Sequence, residues 1–199
     1  MNKIQVFVSS KYSEFEMERA LVKHEIDSFP FLESILAEDW SPRTGRSEDF
    51  YIADVNRSHI YIGLFGSVYS KPTHVEYEAA CGNPHRERLI YLRDCPPGKR
   101  DPELRGLIAD ILDQHVVRKY AKPVDLLPVL QSDLQAALWR IVDLCKRLGD
   151  SADSRIGPTT RDLRIPQSLR ALELPADPQA ASALAMTIER ALISRRPIG

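Results

Sequence analysis

Two hydrophobic periods alternate along this chain, and the longest unbroken apolar run, Ile60-Tyr61-Ile62-Gly63-Leu64-Phe65, has no polar face. Such a run predicts a strand buried on both sides of a sheet. Gly66, Ser70 and Pro72 interrupt it, and Thr73 is expected to open a helix carrying His74, Glu76 and Glu78. Upstream, Ile4-Gln5-Val6-Phe7-Val8 predicts a first strand that ends in Ser9-Ser10-Lys11. From Ser13 the period lengthens: Phe15, Val22, Ile26 and Phe29 share one helical stripe, with Glu14, Glu16, Glu18, Arg19 and Lys23 mostly outside it. Ser13 is the expected N-cap and Pro30 the stop. A second strand is expected from about Phe31 to Ala37, a loop over Glu38 to Arg46, and a helix capped by Ser47 and running to about Asn56. After Gly82-Asn83-Pro84, Leu89 to Leu92 predicts a fourth strand, Pro102 to Leu112 a helix, and His115 to Tyr120 a short fifth strand. Leu127, Leu130, Leu134, Leu138, Ile141 and Leu144 or Cys145 then mark a long amphipathic helix from about Asp125 to Leu148.

Strand followed by helix, repeated, predicts an α/β domain over 1–149 with a parallel sheet and helices on both faces. Residues 150–177 read as a linker rich in Gly, Pro, Ser and charge, and 178–199 as a C-terminal helix, from about Pro178 to Arg195, or the stub of a further region. In an open parallel sheet, ligands sit beyond the carboxyl ends of the strands. That places interest on Ser9 and Ser10, on the Glu38 to Arg46 loop, and on the segment from Gly66 to Glu76.

Charge changes the picture by exclusion: 27 Lys and Arg against 28 Asp and Glu leave no bulk positive charge to recruit nucleic acid or an anionic membrane. Cys81, Cys95 and Cys145 are odd in number and widely spaced, which argues against a disulfide framework and a zinc site. No apolar run approaches the ~20 residues of a membrane span, and Met1 to Val6 leads into a strand without a signal-peptide core. A cytoplasmic protein is the resulting expectation. No GxxxxGK[ST] stretch is present, which excludes a P-loop, and no hydrolase triad is evident.

Three segments, taken in order, resemble one family: Val6-Phe7-Val8-Ser9-Ser10 with Tyr12-Ser13-Glu14-Phe15 and Glu18-Arg19; Ser41-Pro42-Arg43-Thr44-Gly45; and Ile62-Gly63-Leu64-Phe65-Gly66-Ser67-Val68-Tyr69 with Thr73-His74-Val75-Glu76-Tyr77-Glu78-Ala79. They are similar to the bacterial TIR-like family catalogued as domain of unknown function 4062, found at the amino end of signalling and phage-defence proteins. The resemblance covers Met1 to Leu148 and stops short of Ser151 to Gly199. It implies a flavodoxin-like fold with a five-stranded sheet ordered 2-1-3-4-5, related to NAD-cleaving TIR domains and nucleoside deoxyribosyltransferases. Those relatives use a glutamate early in the helix after a central strand to work on an N-glycosidic bond. Ser70 stands where the family pattern usually has Gly after its loop Tyr.

On that resemblance Glu76 is the catalytic candidate. Cleaving ribose from nicotinamide or a nucleobase builds positive charge on the sugar, which a fixed carboxylate stabilises or captures. A helix amino end favours the ionised form by about 0.3–1 kcal/mol. The competing structural reading makes Thr73-x-x-Glu76 a capping box. Ser9, Ser10, Trp40, Arg43, Gly66, Tyr69 and Thr73 are the substrate-binding candidates. For each there is a plain alternative: serines bond local backbone, aromatics bury against a helix, and arginines, Arg46 included, stay solvated. His74 and Glu78 read as surface side chains. Two functions therefore compete. One is an NAD hydrolase or related N-glycosidase with NAD as substrate, needing no cofactor or metal and gated by self-association or a regulatory protein domain. The other is a non-catalytic module that binds partners or senses a nucleotide.

Overall fold

The computed structural model describes residues 3–39, 44–96, 98–153 and 178–194. Its elements are β1 (Ile4–Ser10), α1 (Tyr12–Asp27), β2 (Leu32–Ile35), a 3-10 turn (Ala37–Asp39), α2 (Ser47–Arg57), β3 (Ile60–Phe65), α3 (Lys71–Cys81), β4 (Glu87–Arg93), α4 (Pro102–Gln114), β5 (Arg118–Tyr120), α5 (Pro123–Asp153) and α6 (Pro178–Ser194). The chain divides into two units, Met1–Ser132 and Asp133–Gly199, with the boundary inside α5.

The first unit is an α/β domain whose five strands are all parallel, in the order β2-β1-β3-β4-β5. This is the flavodoxin-like arrangement. All six residues of β3 are buried, as expected of a central parallel strand with helices on both faces. Because strand side chains alternate, Phe7 of β1 stacks on its register partner Tyr61 of β3, with centroids 6.4 Å apart. That face continues through Phe65, Tyr77 and Ala80 to Leu104, Leu107, Ile108 and Ile111 on α4. Right-handed crossovers put α2, α3 and α4 on this side and α1 on the other, where Phe15, Val22 and Ile26 are fully buried. The start of α5 belongs to this unit: Leu126 and Leu130 are buried, and Gln131 Nε2 donates to Glu25 Oε2 of α1 at 2.9 Å.

In the second unit, the remainder of α5 buries Leu134, Leu138, Val142 and Cys145, and α6 buries Ala181, Leu184, Ala185, Ile188 and Leu192. Lys146 pairs with Glu189 at 2.5 Å.

Several boundaries moved from their sequence-based positions. Helix α1 begins one residue before Ser13, with Lys11 at the N-cap position and no side-chain cap. Ser47 is the first helical residue of α2 and not its cap. Strands β2 and β5 are shorter than expected, at four and three residues, and α5 runs on to Asp153, past Leu148. The stretch 154–177, most of the expected linker, lies outside the described residues, as do Trp40 and Arg43.

Candidate functional site

Strand alternation separates the two serines at the end of β1. Ser9 shares the face of Phe7 and donates through Oγ to Glu76 Oε2 on α3 at 2.5 Å. Ser10 turns the other way, where Arg19 Nη1 donates to its Oγ at 2.9 Å. Arg19 is itself buried, and its guanidinium grips Glu38 with two nitrogens.

Glu76 is 8% exposed. Burial pushes its carboxyl up to about 7, against the lowering effects of the Ser9 hydrogen bond and the Arg19 charge. This corrects the expectation of a carboxylate kept ionised by a helix amino end. Helix α3 starts at Lys71, so Glu76 lies beyond its first turn, where the helix field has fallen off. The capping-box reading fails for the same reason. The cap is Ser70, whose Oγ accepts from Thr73 N at 3.4 Å and from Thr73 Oγ1 at 3.0 Å. With Pro72 in the first turn, Ser70 sets the helix start.

A third group completes the cluster. Tyr61 of β3 is fully buried, its hydroxyl has no hydrogen-bond partner, and burial followed by the Glu76 charge holds it well above the ordinary tyrosine range. It lies on the face of Ser9 and reaches toward that hydroxyl. Sequence reasoning missed it because Tyr61 sits inside an apolar run; the signal was alternation, which puts Tyr61 two residues from Gly63, the register partner of Ser9.

The β3–α3 loop is held from both sides. Glu14 accepts from Ser67 N at 2.7 Å, Ser67 Oγ at 2.6 Å and Val68 N at 3.2 Å, and from Arg93 Nη2 at 2.8 Å. These partners together hold its carboxyl below the usual range, against the opposing effect of burial. Helix α1 is kinked at Phe15, with φ −125° and ψ 25°, directly after Glu14. Arg93 also bonds Glu18 at 2.9 Å and lies over the Phe15 ring at 4.5 Å. Arg100 Nε donates to Gly66 O at 2.8 Å, and Asp101 N to Ser67 O at 2.8 Å. Gly66 is required by close approach: a Cβ there would come within 2.3 Å of Glu14 Oε1 and 2.8 Å of Phe15 Cζ.

Beneath the loop lies a small cleft lined by Lys11, Phe15, Gly66, Ser70 and Thr73 among others. Gly66 and Thr73 thus meet at this cleft, while Glu76 and Ser9 form a pair that does not line it. Tyr69 bonds His74 Nδ1 through its hydroxyl at 2.9 Å and packs against the core, and His74 Nε2 lies 3.6 Å from Glu78. Glu78 is exposed and Glu76 buried, so the two glutamates face different surroundings. Among the described residues no group of three or more His, Cys, Asp or Glu is placed to hold a metal ion, and no helix is long and apolar enough to cross a membrane.

The family described as Domain of unknown function (DUF4062) matches residues 5–138. The chain belongs to that family. The match spans all of this DUF4062 domain's sheet except Ile4, together with the Ser9–Glu76 pair and the start of α5. No curated protein matches the chain.

Proposed function

We propose that this DUF4062 protein is a nucleotide N-glycosidase that hydrolyses NAD, with Glu76 as the group that stabilises the reacting sugar. The observation that carries the reading is the Ser9–Glu76 pair: a buried carboxyl, titrating near 7, at the carboxyl end of adjacent central strands. Ligands of open parallel sheets sit at that end, and groups tuned toward neutral pH gather at functional sites. The TIR-like resemblance supports the same assignment and a role as a signalling or defence effector.

The chemistry asks one thing of the carboxylate. When the bond from C1′ of the ribose to the nicotinamide nitrogen breaks, its electron pair leaves with the neutral base and positive charge develops on the sugar. Ionised Glu76 offsets that charge or bonds to C1′. Water then supplies the hydroxyl to C1′ and releases a proton. Heterolysis of this kind moves no electrons to an acceptor, so NAD is a substrate here and not a cofactor. Only the ionised form serves, so turnover rises with pH through about 7. The Ser9 hydroxyl fixes the carboxyl and favours its ionised state. Gly66, Thr73 and Tyr69, with Trp40, Arg43 and Ser10, remain the proposed contacts to base, ribose and phosphates, and self-association or a regulatory domain the proposed gate.

A second reading has its own support: at 8% exposure and already bonded to Ser9, Glu76 also serves as a tie between α3 and β1 in a nucleotide-sensing or interaction module. One experiment separates them. Concentrated protein, with and without a crowding agent, is incubated with NAD and nicotinamide release is followed. Release by wild type and its loss of about 10²–10³ in rate in Glu76→Gln support the enzyme; inert wild-type protein that binds NAD supports the module.

A further inference from the structure

We infer that Cys81 and His115 form a thiol-exchange site, at which Cys81 takes up a small-molecule disulfide as a mixed disulfide. The site is independent of the N-glycosidase reading and lies at the opposite end of the sheet. Helix α3 ends at Cys81, and His115 follows the last residue of α4. Thirty-four residues apart, they meet with Cys81 Sγ 3.8 Å from His115 Nε2, within hydrogen-bond reach for sulfur. Both residues are half-buried, so a small reagent can reach them.

The surroundings supply a donor that a neutral thiol leaves unanswered. Tyr77, 4% exposed, packs edge-on to His115 with centroids 5.8 Å apart. Its hydroxyl leans toward the Cys81 sulfur but has no hydrogen-bond partner. Arg88 Nε is likewise buried without a partner, and its charge acts on both Tyr77 and His115. Buried donors normally find acceptors. A thiolate at Cys81 is the acceptor that the Tyr77 hydroxyl lacks, and the Arg88 charge stands beside both Tyr77 and His115. The carboxyl end of α3 opposes a negative charge by its own field, but that end is covered by cations: Arg86 Nη1 donates to Ala79 O at 3.1 Å and Ala80 O at 3.2 Å, and Arg88 Nη1 to Asn83 O at 2.9 Å. An electropositive, partly exposed setting is the one in which cysteines react.

Burial, with the Arg88 charge second, holds His115 below the usual histidine range, so its ring is neutral at pH 7 and Nε2 is open to a proton in the Nδ1–H tautomer. The step then balances. Nε2 takes the Cys81 proton, Sγ bonds one sulfur of the disulfide, the S–S bond breaks, and the departing thiolate takes the proton from the imidazolium. The other thiols are placed differently. Cys145 is fully buried and its thiol is pushed up to about 11 by that burial, while Cys95 follows β4 at the carboxyl end of the sheet.

The test treats the folded full chain at pH 7 with glutathione disulfide and, separately, with 5,5′-dithiobis(2-nitrobenzoate), maps the adduct by peptide mass, and follows the rate. The expected result is a first adduct on Cys81, forming about tenfold faster than at Cys95, and a fast phase that disappears in Cys81→Ser and slows several-fold in His115→Asn. First modification at Cys95, or an unchanged fast phase in a folded His115→Asn, overturns the proposal. The adduct map on wild-type protein decides the matter even where a variant fails to fold.

Discussion

Replacing Glu76 by Gln should stabilise the protein in alkaline solution while disabling it. The carboxyl moves from an ordinary 4.5 to about 7 on folding, driven by burial. At about 1.4 kcal/mol for each tenfold change in acidity, that is about 3 kcal/mol of differential cost. The sign follows from proton binding. Between 4.5 and 7 the folded state holds the proton that the unfolded chain has released, so wild-type stability falls as pH rises through this window and the loss is complete above about 7. Gln carries no charge at any pH and keeps an amide oxygen to accept the Ser9 hydroxyl. The stability of Glu76→Gln relative to wild type should therefore rise with pH, by about 2.5 kcal/mol between pH 5 and pH 8. Urea unfolding of both proteins at the two pH values, followed by circular dichroism, measures it; because all other groups are shared, the difference isolates Glu76. A relative stability that does not change with pH would refute burial as the cause of the shift.

Other perturbations read neighbouring contacts. In Ser9→Ala the hydrogen bond that lowers the Glu76 value is gone, so the pH midpoint of Glu76, followed by carbon-13 NMR of its carboxyl, should move above about 7; an unchanged midpoint would contradict it. His59 titrates in the opposite sense: burial lowers it from 6.5 to about 4, and its Nδ1 accepts Gln5 N at 3.0 Å. Its contribution is present above 6.5 and lost as pH falls through about 4, so His59→Gln should flatten the acid limb of a stability–pH curve. Gly66→Ala puts a methyl 2.3 Å from Glu14 Oε1 and should cost about 1–3 kcal/mol in urea unfolding. Leu130→Ala, at a fully buried position on α5, should cost about 2–5 kcal/mol, and a loss under 1 would show that the site collapses around the cavity.

How much of this was legible beforehand differs between fold and site. Every strand of the sheet and every helix flanking it fell where period and punctuation placed it, to within a few residues. The misplaced helix starts share one cause. Ser13, Ser47 and Thr73 are good capping residue types, but a cap depends on where the chain turns, and in each case the turn came earlier. At the site, Glu76 was identified as the candidate and its ionisation misjudged, because helix position is local while burial is not. Tyr61 and the Glu14–Arg93 pair escaped notice altogether. A tyrosine in an apolar run looks like core, and Glu14 and Arg93 stand 79 residues apart.

By itself, then, the sequence determined what is repeated locally: strand and helix periods, the double burial of β3, and the alternation that sends Ser9 and Ser10 to opposite faces. These follow from backbone geometry, which each residue shares with its near neighbours. Only the tertiary structure decided which polar groups meet: Ser9 with Glu76, Glu14 with the β3–α3 loop, Cys81 with His115. Such meetings arise when crossovers bring distant segments together. The removal of water there sets the charge of Glu76, and no local pattern encodes that loss.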